Sequence, residues 1–314
     1  MPRFAPLARA LALLLAAPAV AAGDPPAAPP PAPATRPPAP NVSAPPSAGL
    51  DATAFGAKYF DQSIAWVAKG GALGRARDVY VDAFAILDVP GQSHFEGRQL
   101  VWFLAPDKMR VQRLEGSVLT SKVLDGDRAW AVLASGNVSR LHASPDGAED
   151  LKQLKEDLGR MQDLAAFLTL EGLKGEGVVF EFQGAVEGTS GATAGKWLKV
   201  ARRAPDGRKM TFWFAYESDA SGMPVATAPG VCRIDGDVKA DLWTEEWVLK
   251  GWGAPEAKPR PYRYPMKIQG WRYPGEERAK AQKFAVFNLD DIQLNAGIEP
   301  SRFAEPVAAA REPK

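Results

Sequence analysis

The chain has 314 residues, 46% hydrophobic and 24% charged, with a net charge of +1 at neutral pH. That balance leaves no basic surplus for nucleic acid and no polybasic patch for an anionic membrane surface. The single cysteine, Cys232, excludes an internal disulfide, and the two histidines, His94 and His142, have no cysteine or carboxylate at ligand spacing, which argues against a histidine-based zinc site.

The N-terminus reads as a targeting segment. Arg3 and Arg9 precede the short apolar run Ala10 to Ala17, and Pro18-Ala19-Val20-Ala21-Ala22 offers small residues for cleavage. Residues 1–22 are therefore expected to be a secretory signal peptide. Removing the two arginines takes the charge from +1 to −1. The run is too short to span a bilayer, and no later segment is long and apolar enough to do so. No cysteine near the cut offers a lipid anchor, so the mature chain is expected to be exported and soluble. Residues 23–49 are rich in proline and alanine, with 11 prolines between Asp24 and Ala48. Such a stretch buries no core and reads as a disordered, polyproline-like linker. Residues 50–306 are long enough for one sizeable domain, and residues 307–314 form a polar tail.

The first periodic element is a helix from Asp51 to Gly70. Phe55, Tyr59, Phe60, Ile64 and Val67 fall near helical spacing, Asp51 and Thr53 are candidate caps, and Gly70-Gly71 ends it. Strand-sized runs follow: Val79 to Val89, Phe95 to Leu104, then alternating runs around Met109, Val118 to Leu124 and Arg128 to Val132, with a weaker one over Asn137 to His142. Short Pro, Gly and Asp turns separate them, the pattern of antiparallel hairpins. The period then changes. Ser144-Pro145-Asp146 opens a second helix, with Asp146 and Glu149 spaced as a capping box and an apolar seam through Leu151, Leu154, Leu158, Met161, Ala165 and Leu168. In a chain otherwise made of strands, this helix is expected to lie across a sheet.

Strands resume at Val178. Lys196 to Arg202 and Lys209 to Tyr216 flank the turn Ala204-Pro205-Asp206-Gly207, and a further pair is expected at Met223 to Ala226 and Gly230 to Ile234. Leu242 to Leu249 suits either strand or helix. Tyr262 to Trp271, Lys280 to Leu289 and a short Asp291 to Leu294 complete the chain. The fold class is mainly β with some helix: a curved antiparallel sheet forming an open half-barrel covered by a few helices.

Catalytic signals are weak. Gly91-Gln92-Ser93-His94 lacks the spacing of a nucleophile elbow, and no phosphate-binding glycine loop occurs. Asp125-Gly126-Asp127 and Asp235-Gly236-Asp237 read as hairpin turns rather than calcium loops, because the ligand count is too low. Glu245 and Glu246 beside Trp243, Trp247 and Trp252 could resemble a sugar subsite, but the plainer reading, that Trp and Glu mark the two faces of one element, is preferred. No cofactor or metal is implied. One-sided apolar stripes are the stronger feature. Phe103, Met109, Val111, Trp130, Phe180, Phe182, Phe212, Phe214, Tyr264, Met266, Ile268 and Phe284 are the residues expected to share an apolar face, and a curved sheet that its helices do not fill would leave a cavity for apolar ligands.

The order of elements and three local motifs carry a family resemblance. Val101-Trp102-Phe103-Leu104-Ala105-Pro106-Asp107-Lys108-Met109-Arg110, Leu124-Asp125-Gly126-Asp127-Arg128-Ala129-Trp130, and Tyr264-Pro265-Met266-Lys267-Ile268 with Leu294 to Phe303 resemble the strand–turn–strand, hairpin and closing elements of the LolA/LolB superfamily of periplasmic lipoprotein carriers. The resemblance implies a periplasmic, non-enzymatic carrier: a half-barrel lidded by helices whose cavity receives lipid or lipoprotein acyl chains, exchanged with a membrane-associated donor or acceptor protein. It also implies a lid-holding arginine, for which Arg98, Arg110 and Arg113 are candidates. An envelope sensor on the same fold, or a carbohydrate-active enzyme using Glu245 and Glu246, are the alternative readings.

Overall fold

The computed structural model describes residues 51–306 except 89–93, 144, 189–194, 206, 208, 236–242, 254–258 and 276. The expected signal peptide, linker and tail, and the turns at Pro90-Gly91 and Gly236-Asp237, lie outside the described residues.

Helix α1 (Ala52–Val67) opens the fold, with the Asp51 carboxylate accepting from Thr53 N at 2.9 Å as its N-cap. A first meander follows: β1 (Asp78–Leu87), β2 (Phe95–Leu104), β3 (Lys108–Glu115), β4 (Val118–Asp125), β5 (Arg128–Val132) and β6 (Val138–Arg140). Helix α2 (Ala148–Thr169) then leads to a second meander: β7 (Val179–Gly188), β8 (Gly195–Arg203), β9 (Lys209–Ser218), β10 (Pro224–Asp235), β11 (Trp243–Gly253), β12 (Tyr264–Pro274) and β13 (Gln282–Leu294). The two meanders join through β1 and β13, giving a 13-stranded antiparallel sheet in the order β6-β5-β4-β3-β2-β1-β13-β12-β11-β10-β9-β8-β7. Strands β6 and β7 remain as edges, so the sheet is an open half-barrel. Those edges are consecutive in sequence on either side of α2. The chain therefore has to travel from one edge to the other, and α2 does so across the concave face.

Three sequence expectations change. The two runs expected here form one strand, β10 (Pro224–Asp235), with register shifts on either side of Pro229 against β9. Proline lacks a ladder donor and bends the strand into a bulge instead of a turn. Likewise β13 is continuous from Gln282 to Leu294, with one bulge opposite Asp82/Ala83 standing where a break was expected. At the start of α2 the N-cap is Gly147, which makes no side-chain cap. A Cβ at Gly147 would sit 2.5 Å from Leu141 O, so the close approach of the preceding turn selects glycine over a capping side chain. The segment left open between strand and helix is strand β11.

Alternation divides the sheet into two faces. The concave face carries Val79, Val81, Ala83 and Ala85 of β1, Val101 and Phe103 of β2, and Phe212 and Phe214 of β9, all in one buried cluster with both helices. Helix α1 covers the second meander. Its Phe60 ring lies 4.1 Å from Phe180 and 5.4 Å from Phe212, and Ser63 Oγ donates to Thr227 O at 2.6 Å. The convex face has a smaller apolar cluster of Trp102, Val123, Trp130 and Phe303, closed by the C-terminal turn Pro300–Phe303. Charged groups stand on the same face. Asp82 and Asp291 stand directly opposite across β1 and β13, and each is neutralised by an arginine that reaches both carboxylate oxygens: Arg98 on Asp82 through Nε and Nη2 (2.9 and 2.6 Å), and Arg260 on Asp291 through Nη2 alone (2.8 and 2.7 Å).

Two glycine substitutions give opposite expectations. A Cβ at Gly56 would lie 2.5 Å from Phe180 O on β7, so Gly56→Ala must push α1 off the sheet and cost about 1–3 kcal/mol. Gly159 on α2 has nothing within 4 Å, so Gly159→Ala should add about 0.4–1 kcal/mol of stability. Urea unfolding midpoints of the two variants check both signs. On the convex face, Phe303 is fully buried, and Phe303→Ala should cost about 3–5 kcal/mol in the same measurement.

Candidate functional site

The concave face beneath α2 is the candidate site. Helix α2 has two unlike halves. Its second half presents Met161, Leu164, Ala165, Phe167 and Leu168, all buried, and Phe167 stacks over Phe212 at 6.4 Å. Its first half interrupts the same stripe with carboxylates. Asp150 accepts from Lys122 Nζ of β4 at 2.8 Å. Asp157, seven residues on and buried, acts on Arg113 of β3. Burial among apolar groups pulls the Arg113 guanidinium down to about 10, while the Asp157 and Glu115 carboxylates pull it the other way. Two further contacts fix the helix at its rim: Lys155 Nζ to Asp127 Oδ1 at 2.6 Å, and Gln162 Nε2 to Pro106 O at 2.8 Å.

Between the second half of α2 and the junction of the two meanders lies a cavity of about 30 Å³. Its lining is Val81, Ala83, Gln99 and Val101 from β1 and β2, Met161, Leu164 and Leu168 from α2, and Ile268, Phe287, Leu289 and Ile292 from β12 and β13. Gln99 is the one polar residue among them. This volume holds about one water, whereas sites for organic ligands measure roughly 300–1,000 Å³. Helix α2 and the side chains around it leave little free space on this part of the concave face.

Of the twelve residues expected on a shared apolar face, nine are buried in the main cluster: Phe103, Met109, Val111, Phe180, Phe212, Phe214, Tyr264, Ile268 and Phe284. Phe182 and Met266 pack at its margin. Trp130 is on the opposite face. The two-residue hairpin turn pairs Asp125 with Arg128, which sets Trp130 against Val123 and into the convex cluster with Trp102 and Phe303. Only Ile268 of the twelve lines the cavity itself. The other lining residues were missed because β1 meets β13 across some 200 residues of sequence, a pairing that no local pattern records; within α2, Leu164 sits one residue before the seam position Ala165.

The three candidate arginines separate by face. Arg98 is bound to Asp82 on the convex side, and Arg110 lies over the Trp102 ring at 5.9 Å there. Arg113 alone faces α2. The carboxylates Glu245 and Glu246 also separate, because neighbours in a strand point to opposite sides. Glu245 shares the concave side with Trp247 and Leu249, while Glu246 is held on the convex side by Arg278 Nη2 at 2.5 Å. The two cannot flank one glycosidic bond as an acid–base pair. His142 is a structural residue, its Nδ1 accepting from Ala129 N at 3.0 Å. His94 pairs with Asp88 at 2.6 Å on an exposed strand end. Asp125 of the Asp-Gly-Asp hairpin binds Lys108 and Arg128. Among the described residues no helix is long and apolar enough to cross a membrane.

No protein-family model matches the sequence, and no curated protein matches it. Among solved structures, the chain is similar to a DUF1329 family protein from Desulfovibrio piger, at 12% identity over 81% of this chain and 98% of that one, with a TM-score of 0.43. It is also similar to a putative outer membrane lipoprotein-sorting protein domain from Vibrio parahaemolyticus (13% identity, 79% and 97% coverage, TM-score 0.38). A LolA superfamily protein from Nitrosomonas europaea is similar over 81% of this chain and 98% of its own, at 12% identity and a TM-score of 0.38.

Proposed function

We propose that the protein is an exported, non-enzymatic carrier that shields a lipid or lipoprotein acyl chain on the concave face of its half-barrel, in the space that α2 now fills. The observation behind this reading is the build of α2 and the surface under it. The surface is apolar and continuous across both meanders. Its cover is one helix, which crosses from edge to edge, enters through a short turn, and is anchored in its first half by a few ion pairs.

A helix placed this way can be lifted without breaking a single sheet hydrogen bond. Lifting it exposes Val81, Val101, Ile268 and Leu289, and an acyl chain laid in the groove would cover them again, at about 0.8 kcal/mol per buried methylene. Ion pairs at the helix–sheet seam suit a lid. They fix its closed register, yet water compensates them when they open, so they add little to the opening cost. Export by the N-terminal segment and delivery between membranes belong to the same reading, which the motif resemblance also supports.

Mass spectrometry of an organic extract of the purified protein is the direct test. Near-stoichiometric co-purifying lipid is expected, together with displacement of bound diphenylhexatriene by palmitate. A clean extract and no binding of diphenylhexatriene would remove the carrier reading. A variant sharpens it. Met161 is fully buried over the cavity, so Met161→Ala should cost about 2–5 kcal/mol in unfolding without ligand. Saturating palmitate should return part of that loss as a rise in Tm, because the ligand fills the space the side chain left.

A further inference from the structure

Gln99 stands out within this site. It sits in the middle of β2, between Ala83 of β1 and Arg113 of β3, on the face that α2 covers. It is 4% exposed and lines the cavity, yet its Oε1 has no hydrogen-bond partner among the described residues. Buried carbonyl oxygens nearly always find a donor, and one that does not calls for an explanation. A trapped water is a poor one, because a buried water needs two to four polar partners and Gln99 is the only polar residue in this lining. Nor is Gln99 needed for packing, since leucine or methionine would fill the position without an orphaned acceptor.

We propose that Gln99 is a specificity-determining residue that accepts a hydrogen bond from the polar junction of the bound molecule, and that the site therefore prefers acyl chains joined through an amide to chains ending in an ester. This rests on the carrier reading and names the ligand class of the same site. An ester presents only acceptors, which can engage Gln99 Nε2 but leave Oε1 unpaired. A secondary amide of the same shape also presents an N–H, the donor that Oε1 is missing. The cavity marks where that junction sits: under Leu164 and Leu168, with apolar lining on both sides along which a chain can run. Discrimination of this kind is strong in a dry site, because the wrong ligand leaves a buried acceptor unpaired.

A matched pair of ligands tests it. N-methylhexadecanamide and methyl hexadecanoate are titrated against diphenylhexatriene bound to the purified full chain, to Gln99→Leu and to Gln99→Met. Comparing the ratio of amide to ester affinity between the parent and each variant cancels the different water solubilities of the two compounds. That ratio is expected to fall about tenfold in both variants, the loss of one hydrogen bond, while ester affinity is retained. The unliganded variants should melt at the same or a higher temperature than the parent, since an orphaned acceptor has been removed, and this separates lost recognition from lost folding. An unchanged ratio with both compounds bound would overturn the role of Gln99 and leave the carrier reading intact. Displacement by neither compound, in the parent or the variants, would overturn both.

Discussion

The pairing of β1 with β13 is the constraint on which the rest of the molecule depends. It runs from Val79 opposite Leu294 to Leu87 opposite Ala285, with one bulge between Asp82 and Ala83, and turns two meanders into one sheet. Either meander alone would leave an inner edge exposed and a shallow apolar face that one helix could not close. Joined, they produce a concave surface long enough to need α1 over one part and α2 over the middle. The join also decides the course of α2, because it places β6 and β7 at opposite ends of the sheet and forces the connection between them over the face. The cavity lies on this seam. Val81 and Ala83 come from one side of it, and Phe287, Leu289 and Ile292 from the other.

The two helices have different work. Helix α1 is bonded deep into the second meander. Gly56 lets its backbone meet β7, Ser63 reaches the β10 backbone, and Gln62 Oε1 accepts from Ala226 N at 2.9 Å. Among the described residues, helix α2 makes polar contacts to the sheet along its first half and at the rim, where Gln162 of its second half donates to Pro106 O. The buried face of that second half is mainly apolar. A wall and a cover differ in this way: one is built with directional bonds that register it, the other with area that another apolar body can replace.

Much of this was legible in the sequence, and what was not has physical causes. Strand positions and the sign of each face follow from period-two alternation and turn residues, and Phe103, Met109 and Val111 do share one buried cluster. Trp130 lies on the other face, because a hairpin's register depends on whether its loop holds two residues or three, and that one-residue difference sends a side chain to the other face. The bulges in β10 and β13 were read as breaks, since Pro229-Gly230 and Asp290-Asp291 carry turn composition. In β10 the proline instead bends a continuous strand, and Gly230 leaves room for the Trp197 ring. The volume left under α2 depends on how side chains from five elements interdigitate, and no pattern along one chain reports it. The orphaned Oε1 of Gln99 has the same origin: a glutamine in an alternating strand looks ordinary until its neighbours are known.

The packing of α2 also bears on how a carrier of this build would release its cargo. The side chains of Leu154, Met161, Leu164, Phe167 and Leu168 each bury apolar surface worth about 1.5–3 kcal/mol, so the seam of α2 holds roughly 8–15 kcal/mol of hydrophobic contact in all. An acyl chain of about 14 methylenes brings around 11 kcal/mol to the same surface. The two are of equal size, so they compete for one face. In the proposed carrier, exchange of chain for helix would then leave only a small net free energy, so that cargo would be neither held irreversibly nor replaced by a greasy groove open to water. Helix α2 would act there as an internal competitor, its apolar half setting the affinity for the chain and its ion-paired half the register to which it returns.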